Sequence, residues 1–186
     1  MLYLFNCYPF KKIVLSKGVQ IMKILILMRH AKSSWKDHEI SDKDRPLKKK
    51  GKKDAQMMAK LLVEKELLPQ KMLVSSAKRA SRTAEIIIEE TEIKIPVEYL
   101  DQLYMAEVQV CFDLLQSVPD ELERVMVIGH NPSLECLMQV LSGQIESLPT
   151  GAAALISLPI KSWKELNPET KGDLIDLFKP KREKEK

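Results

Sequence analysis

The chain has 186 residues, 45% hydrophobic and 30% charged, with 30 Lys+Arg against 26 Asp+Glu for a net charge of +4. At ~150 residues per domain this is one domain with a sizeable core, which needs no disulfide or metal to staple it. The small basic excess and 5% aromatic content argue against a nucleic-acid surface, and no apolar run approaches the ~20 residues that span a bilayer.

Residues 1–21 include the apolar stretch MLYLFNCYPFKK, which lacks a basic start and a small-residue cleavage site and is broken by Asn6 and Pro9. Met22 directly precedes a strong strand signal. Residues 1–21 therefore read as an N-terminal extension outside the native fold, 22–180 as a single domain, and 181–186 as a charged tail. KILILMR (23–29) is a short, wholly apolar run of the kind that fills a central parallel strand. After a polar stretch, Ala55, Met58, Ala59 and Leu62 recur at helical spacing and predict an amphipathic helix over 53–68, ended by Pro69. Met58 falls on its apolar stripe, and the lysine run 48–53 reads as a solvated flank before it. MLVSS (72–76) predicts a strand, Ala80, Ala84, Ile87 and Ile88 a helix over 78–91, and IPVEY (95–99) a short strand. Val108, Cys111, Phe112 and Leu115 mark a third helix, and VMVIG (125–129) a further strand. Asn131 reads as the N-cap and Pro132 as the first residue of a fourth helix, with the stripe Leu134, Leu137, Met138 and Leu141. Strands at 152–159 and 173–178 complete the domain. This rhythm predicts a three-layer α/β/α sandwich with a mostly parallel central sheet.

The cysteines, Cys7, Cys111 and Cys136, have neither zinc-ligand spacing nor a CxxC pair. Cys111 and Cys136 sit among apolar residues, as reduced core thiols of a cytoplasmic protein do.

In open α/β sheets, ligands bind at the carboxyl ends of the strands. The strand at 23–29 ends in Arg29 and His30, the strand at 72–76 leads to Arg79 on the next helix, and the strand at 125–129 leads to His130. Two of the three histidines thus fall at such ends; the third, His38, lies in a polar loop and reads as surface. Guanidinium forks match phosphoryl oxygens and stay charged, which suits Arg29 and Arg79 to clamp a dianion. A neutral His30 between them can attack phosphorus, splitting hydrolysis into transfer to the imidazole and attack by water on the phosphoenzyme. His130 can stabilise the equatorial oxygens of a loose transition state. No metal or other cofactor is implied: HxH, HExxH and clustered acids are missing near both histidines. KKKGKK (48–53) lacks the first glycine and the Ser/Thr of a phosphate loop, and there is no GxGxxG fingerprint.

The blocks MRHAKSSW (28–35), DRPLKKKGKKDA (44–55), SSAKRASRTAE (75–85), VIGHNPSLECL (127–137) and LPTGAAALISL (148–158), in this order, resemble the histidine phosphatase, or phosphoglycerate mutase-like, superfamily over 22–180. Within it the chain is similar to the short SixA-type phosphohistidine phosphatases. The resemblance implies His30 as phosphate-accepting nucleophile, Arg29 and Arg79 as phosphate ligands, His130 as second pocket histidine and Arg45 as a further substrate-binding residue. Two departures stand out. Ala31 replaces the usual glycine after the Arg-His pair. The region in which mutases and broad phosphatases of the superfamily carry a glutamate acid reads DQLYMAEVQV (101–110), offering only Asp101 and Glu107 as imperfect candidates. An alkoxide leaving group needs a proton, whereas an imidazole of pKa ~6.5 departs readily from phosphorus. The chain is also too short for the helical lid insertion of larger relatives. A phosphohistidine phosphatase acting on a protein is therefore the expected function, as a monomer, with no nucleic acid or membrane partner. The alternatives are a broad small-molecule phosphomonoesterase using Asp101 or Glu107, and a non-catalytic phosphoprotein-binding module. Trp35, five residues past His30, reads either as a pocket wall or as an anchor of its loop.

Overall fold

The structure, a computed structural model, describes residues 22–35 and 39–180. The extension 1–21 with Cys7, the loop position of His38 and the tail 181–186 lie outside the described residues. Six strands, β1 (Lys23–Arg29), β2 (Lys71–Ser75), β3 (Val97–Leu100), β4 (Arg124–Gly129), β5 (Ala153–Leu158) and β6 (Asp173–Phe178), form one sheet in the order β3-β2-β4-β1-β5-β6. β3, β2, β4 and β1 run parallel, and β5 pairs antiparallel with both β1 and β6, so that it alone runs against the other strands. The alternation along β1 shows why the sheet is covered on both sides. Ile24, Ile26 and Met28 pack with α1 (Lys49–Glu64) and α2 (Lys78–Thr91), while Leu25 and Leu27 pack with α3 (Val108–Gln116) and α4 (Ser133–Ser142). The result is the three-layer sandwich expected from the apolar pattern.

Parallel pairing fixes where chemistry gathers. Arg29 lies opposite Gly129, and Val74 opposite Ile128, so β1, β2 and β4 end at one edge of the sheet. Antiparallel β5 starts at that same edge, with Ala153 opposite Met28.

Several boundaries differ from the sequence expectation. Helix α1 starts at Lys49 and ends at Glu64 rather than running over 53–68. Its lysine run is thus the helix's own first turn, not a flank. That early start is set by a tertiary contact: Lys48 N–H donates to Lys32 O, and Gly51 lets the turn close on that backbone, since a Cβ at 51 would fall 2.2 Å from Lys32 O. The end is set by Glu66 in the left-handed region (φ 56°), with Leu67 N–H donating to Leu62 O in a Schellman-type closure that no glycine announces. β3 covers 97–100 rather than 95–99. Helix α4 begins at Ser133; Pro132 occupies the cap position, and the Asn131 amide donates instead to Leu148 O. Cys136 is exposed rather than in the core, being on the face of α4 opposite the Leu134, Leu137, Met138, Leu141 stripe, whereas Cys111 is buried and burial pushes its thiol up to about 11.

Gly51→Ala distinguishes packing from propensity. In a free helix this change stabilises by up to ~1 kcal/mol; here the clash with the Lys32 backbone is expected to cost about 1–3 kcal/mol. Thermal unfolding should show a clear drop in Tm, and an unchanged or raised Tm would refute the contact.

Candidate active site

His30 leaves β1 as a buried residue whose backbone is held from three sides. Its N–H donates to Gly129 O, its carbonyl and that of Arg29 accept from Gly151 N–H, and the following Ala31 N–H donates to Thr83 Oγ1. Gly151 has φ +79°, a left-handed conformation in which a side chain is strained, so the LPTGAA turn requires glycine there. Ala31 is not among the positive-φ residues and is fully buried, with Leu47, Ala55 and Ile86. The loop thus accommodates alanine where the resemblance led one to expect glycine.

The histidine tautomers follow from their partners. His30 Nδ1 lies 2.8 Å from Ala31 O, an acceptor only, so Nδ1 carries the proton and Nε2 presents its lone pair, 3.3 Å from Arg79 Nε. His130, buried directly after β4, has Nδ1 3.3 Å from Arg79 Nη2, a donor only, so its proton sits on Nε2 and is donated to Ser75 Oγ at 2.8 Å. The two rings are 5.0 Å apart, centroid to centroid. Burial, reinforced by Arg79, Arg29 and Arg45, lowers the His30 pKa to about 4, although the Ala31 hydrogen bond opposes this. Burial, then His30 and Arg79, lowers that of His130 to about 3. Both imidazoles are neutral at physiological pH.

Arg79, the second residue of α2, organises the site. Its guanidinium reaches His30 through Nε, His130 and the Asp42 carboxylate (3.0 Å) through Nη2, and the Asp42 carbonyl (2.5 Å) through Nη1. Thr83, one turn along α2, donates to Arg79 O and accepts from Ala31 N–H, tying this helix to the His30 loop. Arg29 donates from Nη1 to Leu148 O, while its buried Nε has no hydrogen-bond partner among the described residues. Burial lowers its pKa against the opposing pull of Glu135, and a guanidinium stays a cation all the same. Arg45 is buried, donates to Ser33 Oγ, approaches Asp42 Oδ1 at 3.1 Å and stacks its guanidinium 3.3 Å from the Trp35 ring centroid. Trp35 is thus both pocket wall and anchor.

All five residues expected from the sequence, Arg29, His30, Arg45, Arg79 and His130, line one cavity of about 510 Å³, together with Trp35, Asp42, Tyr104 and Met105. Asp101 and Glu107 do not. Asp101 is exposed and turned to Lys43 and Ser76, whose contacts hold its carboxyl below the usual range; Glu107 is exposed at the start of α3. Sequence reasoning missed Asp42, Tyr104, Ser75 and Thr83. Asp42 sits in a 3-10 turn, Asp42–Asp44, three residues before Arg45, and its only sequence signal is the Ser41 cap.

The model of the histidine phosphatase superfamily (branch 1) matches residues 25–111. An uncharacterised chloroplastic protein of Arabidopsis thaliana is 34% identical over 160 residues, covering 81% of this chain and 73% of the relative. The chain belongs to the histidine phosphatase superfamily. The structure of the protein histidine phosphatase SixA complexed with tungstate is similar to this histidine phosphatase at 25% identity and TM-score 0.71, over 84% of this chain and 97% of that one. A protein of Agrobacterium tumefaciens provisionally assigned as a phosphohistidine phosphatase SixA matches at 25% identity and TM-score 0.74, over 85% and 98%. The phosphoglycerate mutase-like sandwich is therefore the fold of this histidine phosphatase, and the sheet edge that carries Arg29, His30, Arg79 and His130 is its candidate catalytic face.

Proposed function

We propose that this histidine phosphatase hydrolyses phosphohistidine on a protein through a phospho-His30 intermediate. The observation that carries the reading is the pairing of a neutral, tautomer-fixed nucleophile with a cavity that holds no carboxylic acid able to give up a proton. The one carboxylate that lines the cavity among the described residues, Asp42, is held ionised: desolvation pushes its pKa up, but the Tyr104 hydroxyl, Arg79 and Arg45 together outweigh it, and the net shift is downward. The Tyr104 proton is committed to that carboxylate at 2.9 Å. An alcohol leaving from phosphorus finds no carboxylic acid here to protonate it, whereas an imidazole can leave neutral.

In this mechanism His30 Nε2 attacks phosphorus while Arg29, Arg79 and Arg45 hold the phosphoryl oxygens. An arriving dianion favours protonation of His130, whose Nδ1 then donates to an equatorial oxygen. In the second step water attacks the phosphoenzyme, and His30 departs as a neutral imidazole because its Nδ1 keeps its own proton, donated to Ala31 O.

Phosphate release from a phosphohistidine-bearing protein and from p-nitrophenyl phosphate, measured in parallel in EDTA with His30→Ala as control, tests the reading. Faster, His30-dependent release from phosphohistidine is expected. Preference for the ester would point to an unrecognised acid and a broader phosphatase, and no turnover of either to a binding module.

A further inference from the structure

We propose that Asp42 is the specificity-determining residue of the site, its carboxylate accepting a hydrogen bond from the distal ring N–H of the phosphohistidine that is being cleaved. The inference rests on the phosphohistidine reading and deepens it. It begins with a bond balance. When the P–N bond of the substrate breaks, its electron pair goes to the substrate's ring nitrogen, while the lone pair of His30 Nε2 forms the new P–N bond. If the substrate's other ring nitrogen carries a proton, the departing group is neutral imidazole; if not, it is the far more basic imidazolate, and departure is slow. The enzyme's own second step has the same requirement, which Ala31 O meets by holding the His30 Nδ1 proton at 2.8 Å. An equivalent acceptor for the substrate's ring must come from the opposite side of the phosphoryl group.

Asp42 is on that side. The Arg79 guanidinium spans the cavity with Nε toward His30 and Nη1 and Nη2 toward Asp42, so a phosphoryl group lying along it has the nucleophile at one end and this carboxylate at the other. An in-line displacement places the leaving nitrogen opposite the attacking one. The Asp42 side chain is 42% exposed, unlike its buried arginine partners, and is therefore open to a ligand. Among the described residues, Oδ2 accepts from Arg79 and Tyr104 whereas Oδ1 meets Arg45 Nε alone, which leaves acceptor capacity on the carboxylate. The charged and titratable groups that face it are Arg45 from its own turn, Arg79 from α2, Tyr104 from the segment after β3, and His130 beyond Arg79. Trp35, 65% exposed, and Met105, 78% exposed, line the same cavity and offer an aromatic face and a thioether to a flat cationic ring.

The rival role for Asp42 is only to hold Arg79 in place. The two differ in what Asp42→Asn does to two substrates. Free phosphohistidine has a leaving group that needs the distal proton, whereas p-nitrophenyl phosphate has one that needs none, and both use Arg79. If Asp42 serves the leaving group, the ratio of kcat/KM for phosphohistidine to that for p-nitrophenyl phosphate falls by about 10-fold or more in Asp42→Asn. Part of the loss is regained as the pH is lowered toward ~6.5, where solvent protonates the substrate ring. Equal losses on both substrates, or no loss on either, would overturn the assignment while leaving the proposed function standing. Wild-type enzyme that turns over the ester but not phosphohistidine would overturn both. Turnover of p-nitrophenyl phosphate by the variant reports in the same experiment that it is folded.

Discussion

Replacing His30 by alanine is expected to lower phosphate release by at least about 10³-fold, the scale on which removal of a covalent nucleophile acts in enzymes that split one displacement into two. The size of the effect follows from the absence of an understudy. His130 Nδ1 also faces the cavity, beside Arg79 Nη2, with Nε2 on Ser75 Oγ. In this mechanism an arriving dianion protonates that ring, and a protonated imidazole has no lone pair with which to attack. Rapid quench with radiolabelled substrate should trap an acid-labile, base-stable phosphoryl group on wild-type protein and none on His30→Ala. Direct titration of the His30 ring by NMR adds an independent check. With the folded pKa pushed down to about 4 against an ordinary ~6.5, the ring should remain neutral at pH values between these, where an exposed histidine is already mostly protonated. A His30 midpoint near the ordinary value would remove the desolvated nucleophile from the mechanism. Label retained on the alanine variant would remove the covalent step from His30.

The positions of His30, Arg79 and His130 could be read from the sequence because a parallel sheet converts order along the chain into proximity in space. Each follows a strand whose apolar run is unbroken, and once β1, β2 and β4 are parallel their ends coincide. What stayed hidden is held by contacts without local pattern. The start of α1 depends on Gly51 meeting Lys32, far back along the chain, and its end on a glutamate in a left-handed conformation. Asn131 and Pro132 have the residue types of a helix start, yet the Asn131 amide is drawn to Leu148 and the helix opens later. Cys136 sits between apolar neighbours in sequence but two residues from Leu134, which on a helix is the far side. Asp42 was hidden for a further reason: a lone acid in a polar loop carries no periodicity, and its importance arises only when α2 and the segment after β3 bring Arg79 and Tyr104 to it. Asp101 and Glu107 are the right residue type in the right segment, but the residues of that segment that line the cavity are Tyr104, Met105 and Ala106 between them.

Arg79→Lys, which keeps the charge, should be nearly as damaging as losing it, with kcat/KM falling by about 10²-fold or more on any phosphoryl substrate. The reason lies in the geometry of one planar group. Arg79 presents three nitrogens in a fixed fork, and each has a different partner: Nε with His30, Nη2 with His130 and the Asp42 carboxylate, Nη1 with the Asp42 carbonyl. A lysine ammonium is a single point on a flexible stem and cannot span that distance. The fork both aligns the nucleophile's lone pair and keeps the 3-10 turn of Asp42 against α2, so its loss also loosens the wall that carries Arg45 and Trp35. Competition by inorganic phosphate separates binding from chemistry. A weaker inhibition constant with a matching rise in KM and little change in kcat would mean that Arg79 contributes charge alone. A fall in kcat beyond the loss in phosphate affinity is the expected result, because only a fork that contacts His30, His130 and Asp42 together can hold the phosphoryl group in line between the attacking and departing nitrogens.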